Sequence, residues 1–444
     1  MNFKEWKKWL GELPWSCKWF VIFILIRPVT DNFYSLKEIS PLFSPLYILG
    51  ILTPVFILLS FLSRRFPKKI SSQADIPVRI LILLILANGV ILLAGNYSLL
   101  TVGEVIKSVT PFLLFFYLRH FIRSQRDLHG IFQTFLYACI FPGLVLLYEN
   151  IFNPIAVEYL TEGRGGGSRI RGGYADVMSY AIFITGSFLI AAYYYLLKLS
   201  GTRFPRLSVR KMLVILGLCL LGLISIKQVS TWAVIVMLFV LFLASSIRNP
   251  KGIIFGLLIV LIMLPFVAQR LYDDQINPLI QKELAVANGE TEMEYAFNGR
   301  VGRWERYIAI WSATPMVSKL MGVSTAGVKE GPVMISNGIH NDLIRMMFLS
   351  GILGLSLYLW FLYCIFRAGK QSRRPERFLI IGAVACILLH SMSALPLMYA
   401  SYIYLLMAVF AYALLPNRLK YSHAATTIRQ RPVAEVMTPV AGTV

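Results

Sequence analysis

At 444 residues, 57% of them hydrophobic, and with a mean hydropathy of +0.67, the chain is too apolar to keep a folded surface wet as a soluble protein. Its net charge of +21 does not make it a nucleic-acid binder, because the basic residues fall in short loops between apolar runs instead of gathering on one face among stacking aromatics. The five cysteines, Cys17, Cys139, Cys219, Cys364 and Cys386, lie in or beside apolar runs without C-x-x-C spacing, which argues against a disulfide framework and a cysteine metal site.

The chain opens with Trp6, Trp9, Leu10, Leu13 and Trp15 among Lys4, Lys7 and Lys8, the pattern of an interfacial amphipathic segment rather than a cleaved leader. Apolar runs follow at 17–34, 43–63, 79–97, 101–119, 130–149, 174–197, 211–226, 231–247, 252–268, 339–366, 378–396 and 399–415. A helix needs roughly 20 apolar residues to cross a bilayer, so the pattern predicts an all-α polytopic membrane protein with about twelve spans. The strongly basic loops, around Lys4–Lys8, 64–69, 119–126, 198–211, 248–251, 367–377 and the tail, fall on every second connection. The positive-inside rule then puts both termini in the cytoplasm and 27–42, 151–173 and 269–337 on the far side. Residues 1–415 read as one helical membrane domain, and 416–444 as a flexible basic cytoplasmic tail.

Three stretches on the far side carry the chemistry. Within 151–173, six glycines in eleven positions and three arginines, Arg164, Arg169 and Arg171, pair a closely approaching backbone with forked donors for phosphate oxygens. The stretch lacks the Lys-Ser/Thr ending of a nucleotide P-loop and lies away from cytoplasmic nucleotides, so a diphosphate displayed outside the membrane fits better than ATP. The loop 269–337, between the ninth and tenth spans, carries seven basic and eight acidic side chains. Its early part, Asp273 through Glu294, reads as a mobile polar stretch. From near Val301 the spacing predicts a helix, with Arg303, Arg306 and Ile310 on a largely basic face and Trp304, Ile308 and Trp311 on an apolar one. The plainer reading of these arginines is an interfacial anchor. Thr314-Pro315 and Gly322 to Gly327 read as a helix stop followed by a glycine-bounded turn.

Third comes His340-Asn341-Asp342 with Arg345, where the long polar segment meets the tenth apolar run. A titratable imidazole at that depth can serve both water and membrane chemistry, or simply cap a helix. Asp342 and Arg345, three apart, are spaced to pair, and Gly351 and Gly354 would let neighbouring helices approach closely. No H-e-x-x-H pattern or carboxylate cluster accompanies them, which suits metal-independent chemistry on a lipid-linked anion.

In order and spacing, four stretches over roughly 165–360 resemble the O-antigen ligase and polymerase superfamily of bacterial inner-membrane glycosyltransferases. They are Arg169 to Ala181, Asn298-Gly299-Arg300-Val301-Gly302-Arg303-Trp304, Pro315 with Gly322-Val323 and Gly327, and His340-Asn341 followed by Gly351 and Gly354. One departure stands out: where the family has a Ser-Arg-Gly-x-Trp-like stretch, this chain reads Lys227-Gln228-Val229-Ser230-Thr231-Trp232. Lys227 is then the substitute for the missing arginine, as a point charge in place of a fork.

The resemblance implies a polyprenyl-diphosphate-linked glycan donor, a sugar-hydroxyl acceptor on a lipid-linked repeat unit or on lipid A-core, and no cofactor or metal. It gives catalytic roles to His340, Arg303 and Arg300. Diphosphate binding falls to Arg171, Arg169, Arg164, Arg306 and Lys227, with Asn341, Asp342, Arg345 and Trp304 in support. Polymerisation of repeat units for O-antigen or exopolysaccharide at the outer face of the inner membrane is the first expectation, among membrane lipid and polysaccharide-assembly partners. The alternatives are an O-antigen ligase and a polysaccharide or lipid-linked-sugar transporter. The transporter would place its charges nearer mid-membrane, whereas the candidates here cluster at one mouth; Arg27, Glu104 and Lys107 are the deeper exceptions, or residues of helix ends.

Overall fold

The structure is a computed structural model that describes residues 3–33, 36–39, 44–62, 72–95, 99–152, 156–157, 169–170, 174, 177–201, 207–226, 228–246, 254, 272, 277–290, 292, 296–322 and 340–415. The long elements are helices. They are α1 (Phe3–Glu12), α2 (Trp15–Asn32), the single turn α3 (Leu36–Ile39), α4 (Pro45–Leu62), α5 (Asp75–Gly95), α6 (Leu99–Phe121), α7 (Gln125–Ala138), α8 (Ile140–Ile151), α9 (Val177–Leu199), α10 (Val209–Ile226) and α11 (Val229–Ser246). After these come α12 (Asn277–Ala287), α13 (Ala296–Ser312), α14 (Met316–Met321), α15 (Asp342–Lys370), α16 (Arg374–Ser391) and α17 (Ala400–Ala413). Two-residue strands β1 (Ala156–Val157) and β2 (Arg169–Ile170) pair antiparallel, Ala156 opposite Ile170.

Seven helical paths are long and apolar enough to cross a membrane: α4, α5, α7 with α8, α9, α10, α11 and α15. Their outward faces confirm the solvent they are built for. On α4, Ile48, Ile51, Val55, Leu58, Leu59 and Leu62 are exposed, and on α5 Leu83, Val90 and Ile91, a continuous apolar surface that water would penalise and lipid does not. The helix at the centre inverts this pattern. Buried over nearly its whole length by α7, α10, α11, α16 and α17, α9 is also the least apolar of the seven. Among the described residues, α2, α6, α16 and the shorter α17 fall on four further apolar runs of the sequence. Apart from Ile254, the run at 252–268 lies outside the described residues, as does the tail at 416–444.

Successive long helices alternate in direction, as the pairing of their ends shows. One end joins Glu12 to Arg126 (2.7 Å), Asp75 to Arg119 (3.7 Å), and the Tyr117 hydroxyl to the Ser16 carbonyl (2.7 Å). The opposite end joins Ser225 to Asn150 (3.0 Å), the Tyr174 hydroxyl to the Pro28 carbonyl (3.0 Å), and Arg345 to Ser108 (2.6 Å). α1 docks on α7: the Trp6 indole N–H donates to Thr134 and that of Trp9 to Asp127, while Lys4, Lys7 and Lys8 face outward. Gly130 makes room for the Trp9 ring, where a Cβ would overlap the indole. Ser124 and Asp127 cap α7 reciprocally, satisfying backbone donors that the helix cannot satisfy itself.

Candidate functional site

The site is built on the opening of α15. Asn341 has extended backbone and its side-chain oxygen accepts from the amides of Leu343 (2.9 Å) and Ile344 (3.2 Å), an N-cap that fixes where the helix starts. Just before it, His340 is half-buried with φ of 45°, and it is the only non-glycine residue with positive φ among the described residues. An L-residue with a bulky ring rarely holds that conformation without a surrounding structure that enforces it.

Asp342 and Arg345, in the first turn, are almost completely buried. The Asp342 carboxylate accepts from the Leu397 amide (2.8 Å), in the 3-10 turn Pro396–Met398 that joins α16 to α17, and its other oxygen lies 3.7 Å from the Arg345 guanidinium. Arg345 donates to the Ser108 hydroxyl (2.6 Å) and stands 4.0 Å from the Glu104 carboxylate, itself 3.1 Å from Lys107 on the same face of α6. Two cations and two carboxylates thus offset one another, which is how buried charge is tolerated. Arg345 is therefore committed to holding α15 against α6 and is not a free anion site. The Asp342–Arg345 pairing was visible in the spacing. The partners Glu104 and Ser108 were not, since they are more than 230 residues away, and their one sequence signal was a Glu-x-x-Lys-Ser inside an apolar run.

α15 is not one continuous rod. Gly351, with φ of 67° and ψ of −173°, breaks it nine residues after its start. A Cβ there would overlap the Leu320 carbonyl, so the glycine lets the backbone of α14 lie directly against the break. Gly322 (φ 120°) ends α14 in the same contact, and Asn88 of α5 donates to the Met321 carbonyl (2.7 Å). The sequence anticipated close packing at Gly351; the break itself was unanticipated.

α13 docks on the same helix through Tyr307, whose ring meets Phe348 edge-on at 5.7 Å, with Ile310, Trp311, Ile344 and Met347 around them. This redraws the two faces expected from spacing. Arg300, Trp304, Tyr307 and Trp311, at intervals of four, three and four, lie on the docking side, while Arg303, Arg306 and Ile308 are exposed. Ile310 belongs to the docking cluster rather than to the basic face, and Ile308 to the open one. The helix also opens at Ala296, five residues before the expected start. α12 occupies part of the stretch expected to be mobile.

Of the glycine-rich arginines, Arg169 lies in β2, opposite Val157. Arg164, Arg171 and Lys227 lie outside the described residues, as do 323–339. Among the described residues no group of three or more His, Cys, Asp or Glu side chains could hold a metal ion, and the five cysteines are free thiols.

The fold and this buried charge cluster define the class: an all-α, polytopic membrane protein. No protein-family model matches the chain, and no curated protein does either.

Proposed function

We propose that the chain transfers or polymerises polyprenyl-diphosphate-linked oligosaccharide repeat units on the outer face of a bacterial inner membrane, in O-antigen or exopolysaccharide assembly. In this reading it has twelve spans, both termini lie in the cytoplasm, and the end of the bundle that carries His340 and Arg345 faces outward. The motif resemblance set out above motivates the reading. The observation that carries it is the docking of an arginine-bearing helix, α13, on the helix whose first turn follows His340. Cations for a departing diphosphate and a base for an acceptor hydroxyl are then held by one packed unit.

In the reaction, the bond between the donor sugar's anomeric carbon and the diphosphate oxygen breaks as the acceptor hydroxyl attacks that carbon. His340 takes the hydroxyl proton, a task suited to an imidazole near neutrality. Arg300, Arg303 and Arg306 neutralise the charge that builds on the leaving diphosphate, with Arg164, Arg169, Arg171 and Lys227 in support. Arg345 and Asp342 hold the opening of α15, and with it His340, in place.

The test is a proteoliposome assay with a lipid-diphosphate-linked repeat unit, with and without a lipid A-core acceptor, in EDTA. Polymerisation predicts products lengthened in repeat-unit steps from donor alone, and His340→Ala lowering the rate by about 10²–10⁴-fold with the fold intact. Product only on the added core would make the chain a ligase. The break at Gly351 favours a second reading, since discontinuous helices are common in carriers. Movement of the lipid-linked sugar across the membrane without bond formation would establish a transporter.

A further inference from the structure

Many buried hydroxyls in this bundle follow one rule, and the exceptions, single at Ser44, Ser230 and Ser246, are densest at one place. Thr53, Ser108, Thr134, Thr185 and Ser350 each donate to the carbonyl four residues back, the usual way a helix satisfies a buried hydroxyl. Where α16 ends and α17 begins, Ser391, Ser393 and Ser401 have no hydrogen-bond partner among the described residues. Neither does the Tyr402 hydroxyl, nor either nitrogen of His390, although both residues are completely buried.

These groups are neighbours. The His390 and Tyr402 rings meet edge-on at 5.5 Å, and the Ser393 amide donates to the His390 carbonyl (3.0 Å). Tyr402 faces Thr185 and Cys386 without a well-formed hydrogen bond to either. The Tyr358 hydroxyl faces Ser391 in a contact short of a well-formed hydrogen bond and lies within electrostatic reach of Asp342, whose second oxygen faces Arg345 at 3.7 Å. Seven polar atoms of six residues around the junction of α16 and α17 thus lack a well-formed hydrogen bond among the described residues. A single orphan is a tolerable strain, but a cluster of this size is not, because each costs the full desolvation of a polar group.

The place suits an internal chamber. α17 is 14 residues, about 21 Å, long, shorter than a bilayer's ~30 Å hydrocarbon core, so a chamber at its junction with α16 places that end of the helix within the membrane's thickness. That same turn carries the Leu397 amide that holds Asp342.

We propose that the region around His390 is a binding chamber for hydroxyl groups, opening toward Asp342. Its lining is rich in neutral donors and acceptors with one carboxylate at its edge, chemistry that takes either ordered water or the hydroxyls of a sugar ring. The water case stands whatever the protein's activity; the sugar case rests on the glycan-transfer reading above.

Hydroxyl-radical labelling of the intact wild-type protein in nanodiscs, read residue by residue by mass spectrometry, tests it. Tyr174 and Tyr180 are the controls: they are as buried as Tyr402 and Tyr358, but their hydroxyls are bonded to the Pro28 and Pro142 carbonyls. A chamber holding water predicts oxidation of His390, Tyr402 and Tyr358 several-fold faster than the controls; rates no faster than the controls overturn the proposal. Adding a lipid-linked repeat unit separates the sources, since protection of these three residues assigns the chamber to sugar hydroxyls and unchanged rates assign it to water. Ser393→Ala and Ser401→Ala give an independent sign. With the hydroxyls satisfied by bound water or sugar, the midpoint of thermal unfolding falls, whereas a rise in both variants means that the groups were dry and strained, and the proposal fails.

Discussion

The first turn of α15 and the open face of α13 carry charged residues that the sequence joined in a single site, and the fold treats them in opposite ways. Asp342 and Arg345 are buried, matched by Glu104, Lys107 and Ser108, and tied to the turn between α16 and α17. Arg303 and Arg306 lie on the exposed side of a helix that is held by Tyr307 and Trp311. Charge inside a membrane bundle is expensive and therefore goes to holding structure, while charge on the exposed face of a docked helix carries no such desolvation cost. Proximity to a histidine in the sequence does not distinguish the two; burial does.

The largest effect is expected at Arg345. Arg345→Ala leaves Glu104 and Asp342 facing each other's surroundings without their common cation and costs about 3–5 kcal/mol, read as a lowered unfolding midpoint in detergent. Adding Glu104→Gln recovers part of that loss. An unchanged midpoint in the single variant would mean that the buried cluster is not structural and would erase the contrast with α13.

Next comes Gly351→Ala, which introduces a left-handed strain and a Cβ into the space of the Leu320 carbonyl, at roughly 1–3 kcal/mol. Limited proteolysis of the 316–322 connection reports it, because undocking α14 from the break exposes that segment. A wild-type digestion pattern would show that the two helices are not held together there. Asn341→Ala removes the N-cap and costs about 1 kcal/mol, and a midpoint equal to wild type would indicate that another group caps α15. Arg303→Gln with Arg306→Gln sharpens the comparison from the other side. Exposed guanidinium groups contribute within about 0.5 kcal/mol, so stability is retained, and under the glycan-transfer proposal the KM for a lipid-diphosphate donor rises. A double variant that unfolds instead would place these arginines with the structural group.

How far the chain could be read in advance follows the same division. Apolar runs announced α4, α5, α9, α10, α11 and α15 because, in lipid, length and composition suffice to call for a helix, and no partner is needed to satisfy its backbone. Asp342 and Arg345 were legible as a pair because their contact is local. The partners Glu104 and Ser108 were not, since burial of an ion pair is decided by which distant helix packs alongside. α13 was legible as an amphipathic helix but its docking side was misjudged at Ile308 and Ile310, which stand more than half a turn apart, the first open and the second in the docking cluster. His390 escaped notice entirely: a lone histidine among serines in an apolar run has no distinguishing spacing, and only the missing partners mark it.

The central position of α9 bears on how the protein is made. The helix is enclosed by α7, which is synthesised before it, and by α10, α11, α16 and α17, which all follow, the last two after roughly 175 further residues. A ribosome that has just released α9 into the bilayer therefore leaves a comparatively polar helix without most of its neighbours. Nascent chains arrested before α16 should keep α9 crosslinkable to insertion machinery, and arrest after α17 should release it. For this protein, the final sixth of the chain completes an interior that was begun much earlier in translation.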